Sequence, residues 1–417
     1  MEPKDLVRLA YLSGPVDAGD VYVRWKAGRH TQLFGTSYLM QFFELCSELG
    51  ADALVITTLP TTFSRKKLGN IIVENRPPPQ SRGLRYHLAM LLWMLRLAPT
   101  LLSFKPAAFV ITAHQNYWFA LSYAKLLGTE LIPSAHCVLW RPFGSTPLHW
   151  RLLLWLDGLF LQWCVRRAMA ISTVVSDQLK RLAKSRNLEV AIITPTYARG
   201  HFDGIAPPDH ERRPFRVVFN GRTEANKGIF DLVYVAGRAN RERHGEFHFD
   251  VCGDGLCLET LRAMVAKEGL EHMTIVHGFC NSDKLGGLLS KSHAVIVPTR
   301  SDFEEGLAKS CVEAVLAHRP FVTSAVCPAL VTLNAAAVEV PPDDADGYFE
   351  ALILLADSAT LYRRKSEACY ELQGQFYQSE RSYRETLRRV LSAAGIISFT
   401  TTNTAATNLR LPASNRL

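Results

Sequence analysis

Phe215-Arg216-Val217-Val218-Phe219-Asn220-Gly221-Arg222-Thr223-Glu224-Ala225-Asn226-Lys227-Gly228 reads as a strand, a short polar loop and the opening of a helix. Residues 215–219 are almost wholly apolar and β-branched or aromatic, as expected of a strand covered on both faces. A helix is predicted over 228–243. The same unit repeats downstream: strands over 247–252, 273–276, 294–297 and 321–324 alternate with helices over 256–267, 282–290 and 306–318. Strand–helix alternation of this kind predicts an α/β domain with a parallel sheet. Helices are expected over about 343–356, 359–372 and 379–393.

Upstream of residue 203 the pattern is similar. Strands are expected over 6–12, 53–57, 107–112, 130–134, 169–175 and 190–194. Helices are expected over 38–49, 84–104, 116–127, 148–168 and 177–185. Gly35-Thr36-Ser37 opens the first of these helices and Gly50 closes it. Residues 14–34 and 60–83 read as loops. The polar, Pro-rich stretch 203–214 reads as a linker. The expected organisation is a Rossmann-like domain over 1–205, a second over 206–378 and a helix over 379–395 that returns to the first. A polar tail over 396–417 is expected to lack order.

The chain has 417 residues, 48% hydrophobic and 21% charged, with a formal net charge of +8. That balance excludes fibrous and disordered classes. The charge is uneven: residues 1–205 hold 23 Lys and Arg against 13 Asp and Glu, and residues 206–417 hold 24 against 26. A basic half suits an anionic ligand or an anionic membrane. No zinc-finger or RNP-type signature accompanies it, so nucleic acid is not the expected partner. The nine cysteines are odd in number and contain no CxxC, which predicts reduced thiols in a cytoplasmic protein. No Cys/His cluster has metal spacing, so no metal site is expected.

The chemistry concentrates at the ends of strands in the second domain, where open parallel sheets bind ligands. Gly221 admits close backbone approach, and Arg222 and Lys227 flank the loop as cations for a diphosphate. Gly253-Asp254-Gly255 forms a tight turn after the next strand. Glu305-Gly306-Leu307-Ala308-Lys309-Ser310-Cys311-Val312-Glu313 places two carboxylates eight residues apart around a helix start. The amides of Gly306, Leu307 and Ala308 would be free to meet an anion. Carboxylates suit vicinal diols because each accepts two hydrogen bonds.

The order of these parts, strand–NGRxxxxKG, strand–GDG and EGLxxSxxEA, resembles glycosyltransferase family 4, the retaining GT-B enzymes. The resemblance implies two Rossmann-like domains whose parallel sheets face each other across a cleft. It implies that Arg222 and Lys227 hold the nucleotide diphosphate, that Glu305 contacts the donor sugar, and that Glu313 contacts the ribose. It also implies that the backbone after Glu305 binds the distal phosphate, with Gly35, Gly221, Gly253 and Gly255 near the donor. His136, at the end of a first-domain strand, matches the family's active-site histidine. A nucleotide-sugar donor and a glycan or lipid-linked acceptor are the expected partners, with no cofactor and no metal.

The reaction implied is retaining transfer of a sugar in bacterial cell-surface polysaccharide or glycolipid biosynthesis. The alternatives are a GT-B nucleotide-sugar epimerase and a non-catalytic sugar-nucleotide-binding protein. Residues 84–104 and 148–167 are heavy in Leu and Trp and punctuated by Arg. Two readings of them stand: buried domain helices, or helices that touch an anionic leaflet at the inner face of the cytoplasmic membrane.

Overall fold

A computed structural model describes residues 6–28, 37–184 and 187–398. Two α/β domains are built around two sheets. In the first sheet the strands are β1 (Arg8–Leu12), β2 (Asp52–Thr57), β3 (Ser64–Leu68), β4 (Ile71–Asn75), β5 (Ala108–Ile111), β6 (Glu130–Ala135), β7 (Arg167–Ala170) and β8 (Glu189–Ile192). They lie in the order β3-β4-β2-β1-β5-β6-β7-β8, all parallel except the edge strand β3. In the second sheet β9 (Phe215–Asn220), β10 (Phe247–Cys252), β11 (Thr274–Gly278), β12 (Ala294–Val297), β13 (Phe321–Ser324) and β14 (Ala337–Val340) run in the order β11-β10-β9-β12-β13-β14. In both sheets the first strand is central and the chain order reverses beside it, between β1 and β5 and between β9 and β12. Those are the topological switch points where doubly wound sheets open a crevice.

Several loop expectations are corrected. Residues 60–83 contain the β3–β4 hairpin, turned at Gly69 with φ 64°. Its outer strand carries Arg65, Lys66 and Lys67 and is exposed along four of five residues, so no alternation marks it; charge is how an edge strand avoids pairing with another chain. The loop expected over 14–34 contains a helix, Ala18–Lys26, capped by Asp17 accepting from the Asp20 amide at 3.0 Å. The strand expected over 169–175 ends at Ala170. Ser172 instead caps the helix Thr173–Ala183, whose β-branched start imitated a strand. The expected helix 116–127 is two short pieces, Trp118–Leu121 and Tyr123–Leu126. A helix at Ala329–Leu333 and strand β14 were not anticipated.

One apolar core runs from the first domain, through Phe42, Phe109 and Leu131, into the near face of the second, including Val295, Cys311 and Val312. A second core fills the far face around Phe215, Phe249 and Leu232. The helix Tyr383–Ala393 packs on the first-domain helix Tyr38–Leu49. Arg384 Nη1 reaches Glu48 Oε1 at 3.0 Å, and its amide donates to Gln41 at 3.1 Å. Arg388 also pairs with Glu48. The chain thus returns to its first domain before the described residues end.

Candidate active site between the two domains

Strand β9 ends in Asn220, and the loop after it carries Gly221, Arg222 and Lys227. Strand β12 ends at Val297, and the loop after it carries Phe303, Glu304 and Glu305. β9 and β12 are paired neighbours at the second switch point, so residues far apart in sequence meet at one place. Gly228 makes this possible. It has φ 73°, and a Cβ there would stand 2.0 Å from the Pro298 carbonyl oxygen. No other residue lets the helix after β9 start against the end of β12.

Lys227 Nζ pairs with Glu305 Oε2. Both side chains are mostly buried, at 15% and 11% exposure. Phe303 lies beneath the cations: its ring centre is 3.9 Å from Lys227 Nζ and 5.4 Å from the Arg222 guanidinium carbon. Arg222 itself is 57% exposed, and its ion-pair partner among the described residues is Glu224 at 2.9 Å. Both cations are thus paired with carboxylates, Lys227 with the mostly buried Glu305 and Arg222, on the exposed side, with Glu224. Phe303 was not among the expected residues. An aromatic in a polar loop between an aspartate and two glutamates was its only signal.

Glu305 departs from expectation in one respect. Its Oε1 accepts from the amides of Gly306 at 3.2 Å and Ala308 at 3.1 Å. Two of the three amides expected to be free are thus occupied by the carboxylate of Glu305, in the turn just before the helix Lys309–Leu316. The Leu307 amide makes no hydrogen bond among the described residues. Glu313 Oε2 accepts from Asn220 Nδ2 at 2.6 Å. Burial raises the Glu313 carboxyl to about 7, against the opposing effects of Lys309 and the Asn220 hydrogen bond. Lys309 is lowered by burial, with Glu313 acting against the shift.

Gly253 and Gly255 have a packing reason. A Cβ on Gly253 would fall 1.7 Å from the Gly221 carbonyl oxygen, and one on Gly255 would fall 2.8 Å from that of Thr223. The turn after β10 lies directly against the loop after β9, bonded by Thr223 N to Asp254 O at 3.0 Å. These two glycines set the shape of the cationic loop from behind. Gly35 lies outside the described residues.

The first domain contributes His136, at the end of β6. Its carbonyl meets Gly306, where a Cβ would stand 1.9 Å away. His136 Nε2 is 3.1 Å from Ser134 Oγ, and its ring packs on Tyr38 at 4.7 Å. Its Nδ1 is buried with no partner among the described residues. Burial, followed by the nearby Lys309, pulls its pKa down to about 3, so the ring is neutral at working pH. Arg141 Nε bonds Glu304 Oε1 at 2.6 Å across the same gap. Beside these contacts a cleft of about 720 Å³ opens, walled by Asn116, Cys137, Trp140 and Trp150 on one side and by Arg222, Phe303 and Glu304 on the other. Among the described residues no group of three His, Cys, Asp or Glu could hold a metal ion.

Residues 205–371 match the family described as Glycosyl transferases group 1. A 2-deoxystreptamine glucosyltransferase from Streptomyces kanamyceticus is 27% identical over 213 residues, which is 47% of this chain and 53% of that protein. The chain thus spans about half the length of this relative. An α,α-trehalose-phosphate synthase (UDP-forming) from Burkholderia vietnamiensis has the same fold, with TM-score 0.67 and 14% identity over 93% of this chain and 99% of that one. HepE from Anabaena, in complex with UDP and glucose, matches with TM-score 0.61 and 13% identity over 94% of this chain and 100% of that one. The two parallel-sheet domains are those of GT-B glycosyltransferase structures, and the family match over the second domain supports a transferase.

Proposed function

We propose that this protein is a retaining glycosyltransferase that moves a sugar from a nucleoside-diphosphate sugar to an acceptor hydroxyl. The observation that carries the reading is the convergence of Arg222 and Lys227 on Phe303 at the switch point of the second sheet, with Glu305 paired to Lys227 and with Arg222 and Phe303 lining the interdomain cleft. The difficult event is departure of the nucleoside diphosphate. Arg222, Lys227 and the Leu307 amide stand where that charge would develop. Glu313, fixed by Asn220, offers a carboxylate to the ribose hydroxyls. Residues of β6 and the loop after it, His136 foremost, cover the donor from the first domain and exclude water.

Retention follows a front-face route in this reading. Glu305 is held by Lys227 on one oxygen and by two amides on the other, which makes it a poor nucleophile. The leaving phosphate then takes the proton of the acceptor hydroxyl. No metal is assigned a part.

The acceptor side belongs to the basic first domain. Its helices Leu84–Leu95 and Leu148–Cys164 meet through His87 and His149, with ring centres 5.3 Å apart. Each buries one face: Met90, Trp93 and Met94 on the first, Leu153 and Phe160 on the second. The other faces carry Leu84, Leu88, Leu148, Leu152 and Trp163, all exposed. The run 84–104 is long and apolar enough to cross a membrane, yet it breaks between Leu95 and Ala98. It is therefore read as lying along a surface. The proposed setting is the cytoplasmic face of a membrane, with a lipid-linked acceptor in cell-surface glycan synthesis.

The test is a panel of sugar nucleotides with product analysis by mass spectrometry in the presence and absence of membrane-lipid extracts. Arg222→Ala and Glu305→Ala should each lose most turnover. Near-wild-type transfer in both would overturn the assignment.

A further inference from the structure

A second cavity, of about 670 Å³, lies between the helices Leu148–Cys164 and Thr173–Ala183. The helices approach so closely at Gly158 that a Cβ there would sit 2.7 Å from the Leu182 carbonyl oxygen. The walls nearby are Trp140, Leu154, Trp155, Leu159 and Leu182. Three cations, Arg151, Arg181 and Lys184, also line the cavity, and no carboxylate does. All three are exposed, and none forms an ion pair among the described residues. Unpaired cations around an apolar trough complement one kind of molecule, an apolar chain that bears an anionic group.

The trough is continuous with the interdomain cleft. Trp140, Ser145, Thr146 and Leu154 line both. Across the cleft stand Arg222, Phe303 and Glu304, the donor side of the proposed site. Away from the cleft the trough borders the exposed apolar face, where Trp155 is 53% exposed beside Leu152 at 57%.

We infer that this trough is the acceptor subsite, and that it holds an amphiphile whose apolar chain lies along Trp155, Leu159 and Leu182 while a phosphate or diphosphate group is held by Arg151, Arg181 and Lys184. The hydroxyl that receives the sugar then lies toward Trp140 and the cleft. This rests on the glycosyltransferase reading and gives its acceptor a chemical class: a phosphate-bearing lipid-linked acceptor.

The probe is dodecyl phosphate below its micelle concentration, with dodecyl maltoside as the uncharged amphiphile of equal chain length. Binding is followed by intrinsic tryptophan fluorescence of the full chain. A saturable change with dodecyl phosphate is expected, weakened at least tenfold in Leu159→Glu and in the surface variant Arg181→Ala/Lys184→Ala. UDP binding, followed by thermal shift, is expected to be unaltered in both variants. Equal affinity for the two amphiphiles, or unchanged dodecyl phosphate affinity in the Arg181/Lys184 variant, would overturn the subsite. So would binding to anionic phospholipid vesicles with none to the monomeric amphiphile. If no nucleoside diphosphate binds the wild type while dodecyl phosphate still does, the transferase reading falls and the trough stands.

Discussion

Ala308 begins the helix Lys309–Leu316 at φ 65°, a left-handed conformation that an L-residue with a Cβ adopts at a cost of about 1–2 kcal/mol. The strain places its amide on Glu305. Ala308→Gly should stabilise the protein by about 0.5–1 kcal/mol, the relief being partly offset by the greater entropy of glycine in the unfolded chain. Urea denaturation measures it. Glu313 gives a pH dependence with a definite sign. Its folded carboxyl, raised to about 7, holds its proton over a range where the unfolded group has lost it. Its contribution to stability therefore falls as pH rises from about 4.5 to about 7, and Glu313→Gln should remove that slope. In the proposed reaction it is the ionised form that would accept the ribose hydroxyls. Donor KM should rise as pH drops below about 7, and this rise should be absent in Glu313→Gln. A KM profile identical in the two proteins would remove the ribose role.

At the scale of elements, Gly306 joins the helix Lys309–Leu316 to the end of β6. Gly306→Ala forces at least 1 Å of movement at the His136 carbonyl, since the new Cβ would otherwise stand 1.9 Å away. The variant should lose about 10²-fold in kcat with little change in nucleoside-diphosphate affinity, because misplacement across the gap affects chemistry before donor binding. Equal loss in both quantities would mean that the donor loop itself is distorted. The elements also show what a sequence can and cannot disclose. Strands β9, β10 and β12 were legible because they are mostly buried, largely apolar runs followed directly by Gly or Pro. The pairing of Lys227 with Glu305 was not legible from either loop alone. It follows from sheet order, which makes β9 and β12 neighbours. The β3–β4 hairpin escaped notice because its outer strand is polar on both faces. The Phe303 platform escaped notice because a lone aromatic in a loop has no period. Glu305 was legible as a carboxylate at a strand end, but its hold on the Gly306 and Ala308 amides depends on the left-handed turn at Ala308.

For the whole molecule, the two domains share one apolar core and a returning helix, so they are not independent units. Deleting residues 379–398 uncovers the face of the helix Tyr38–Leu49 that meets Tyr383 and Arg384 through Tyr38, Gln41 and Glu48. The truncated chain should be aggregation-prone and should lose cooperative unfolding of the first domain by calorimetry. Two buried histidines set the acid limit. His136 and His114 are held down to about 3 and about 4, chiefly by burial. Their contribution is complete above the ordinary histidine pKa of about 6.5 and is lost as pH falls from there toward the folded values. It opposes the Glu313 slope over part of that range, so single variants are needed to separate the two. His114→Gln should flatten the acid limb of the melting temperature against pH.

The central claim is that Arg222 and Lys227 hold a diphosphate at the second switch point. Its most direct test is titration calorimetry of UDP against uridine in the wild type and in Arg222→Ala/Lys227→Ala. The wild type should bind UDP at least tenfold more tightly than uridine, and the double variant should bind the two about equally. An undiminished preference for the diphosphate in the double variant would contradict the account.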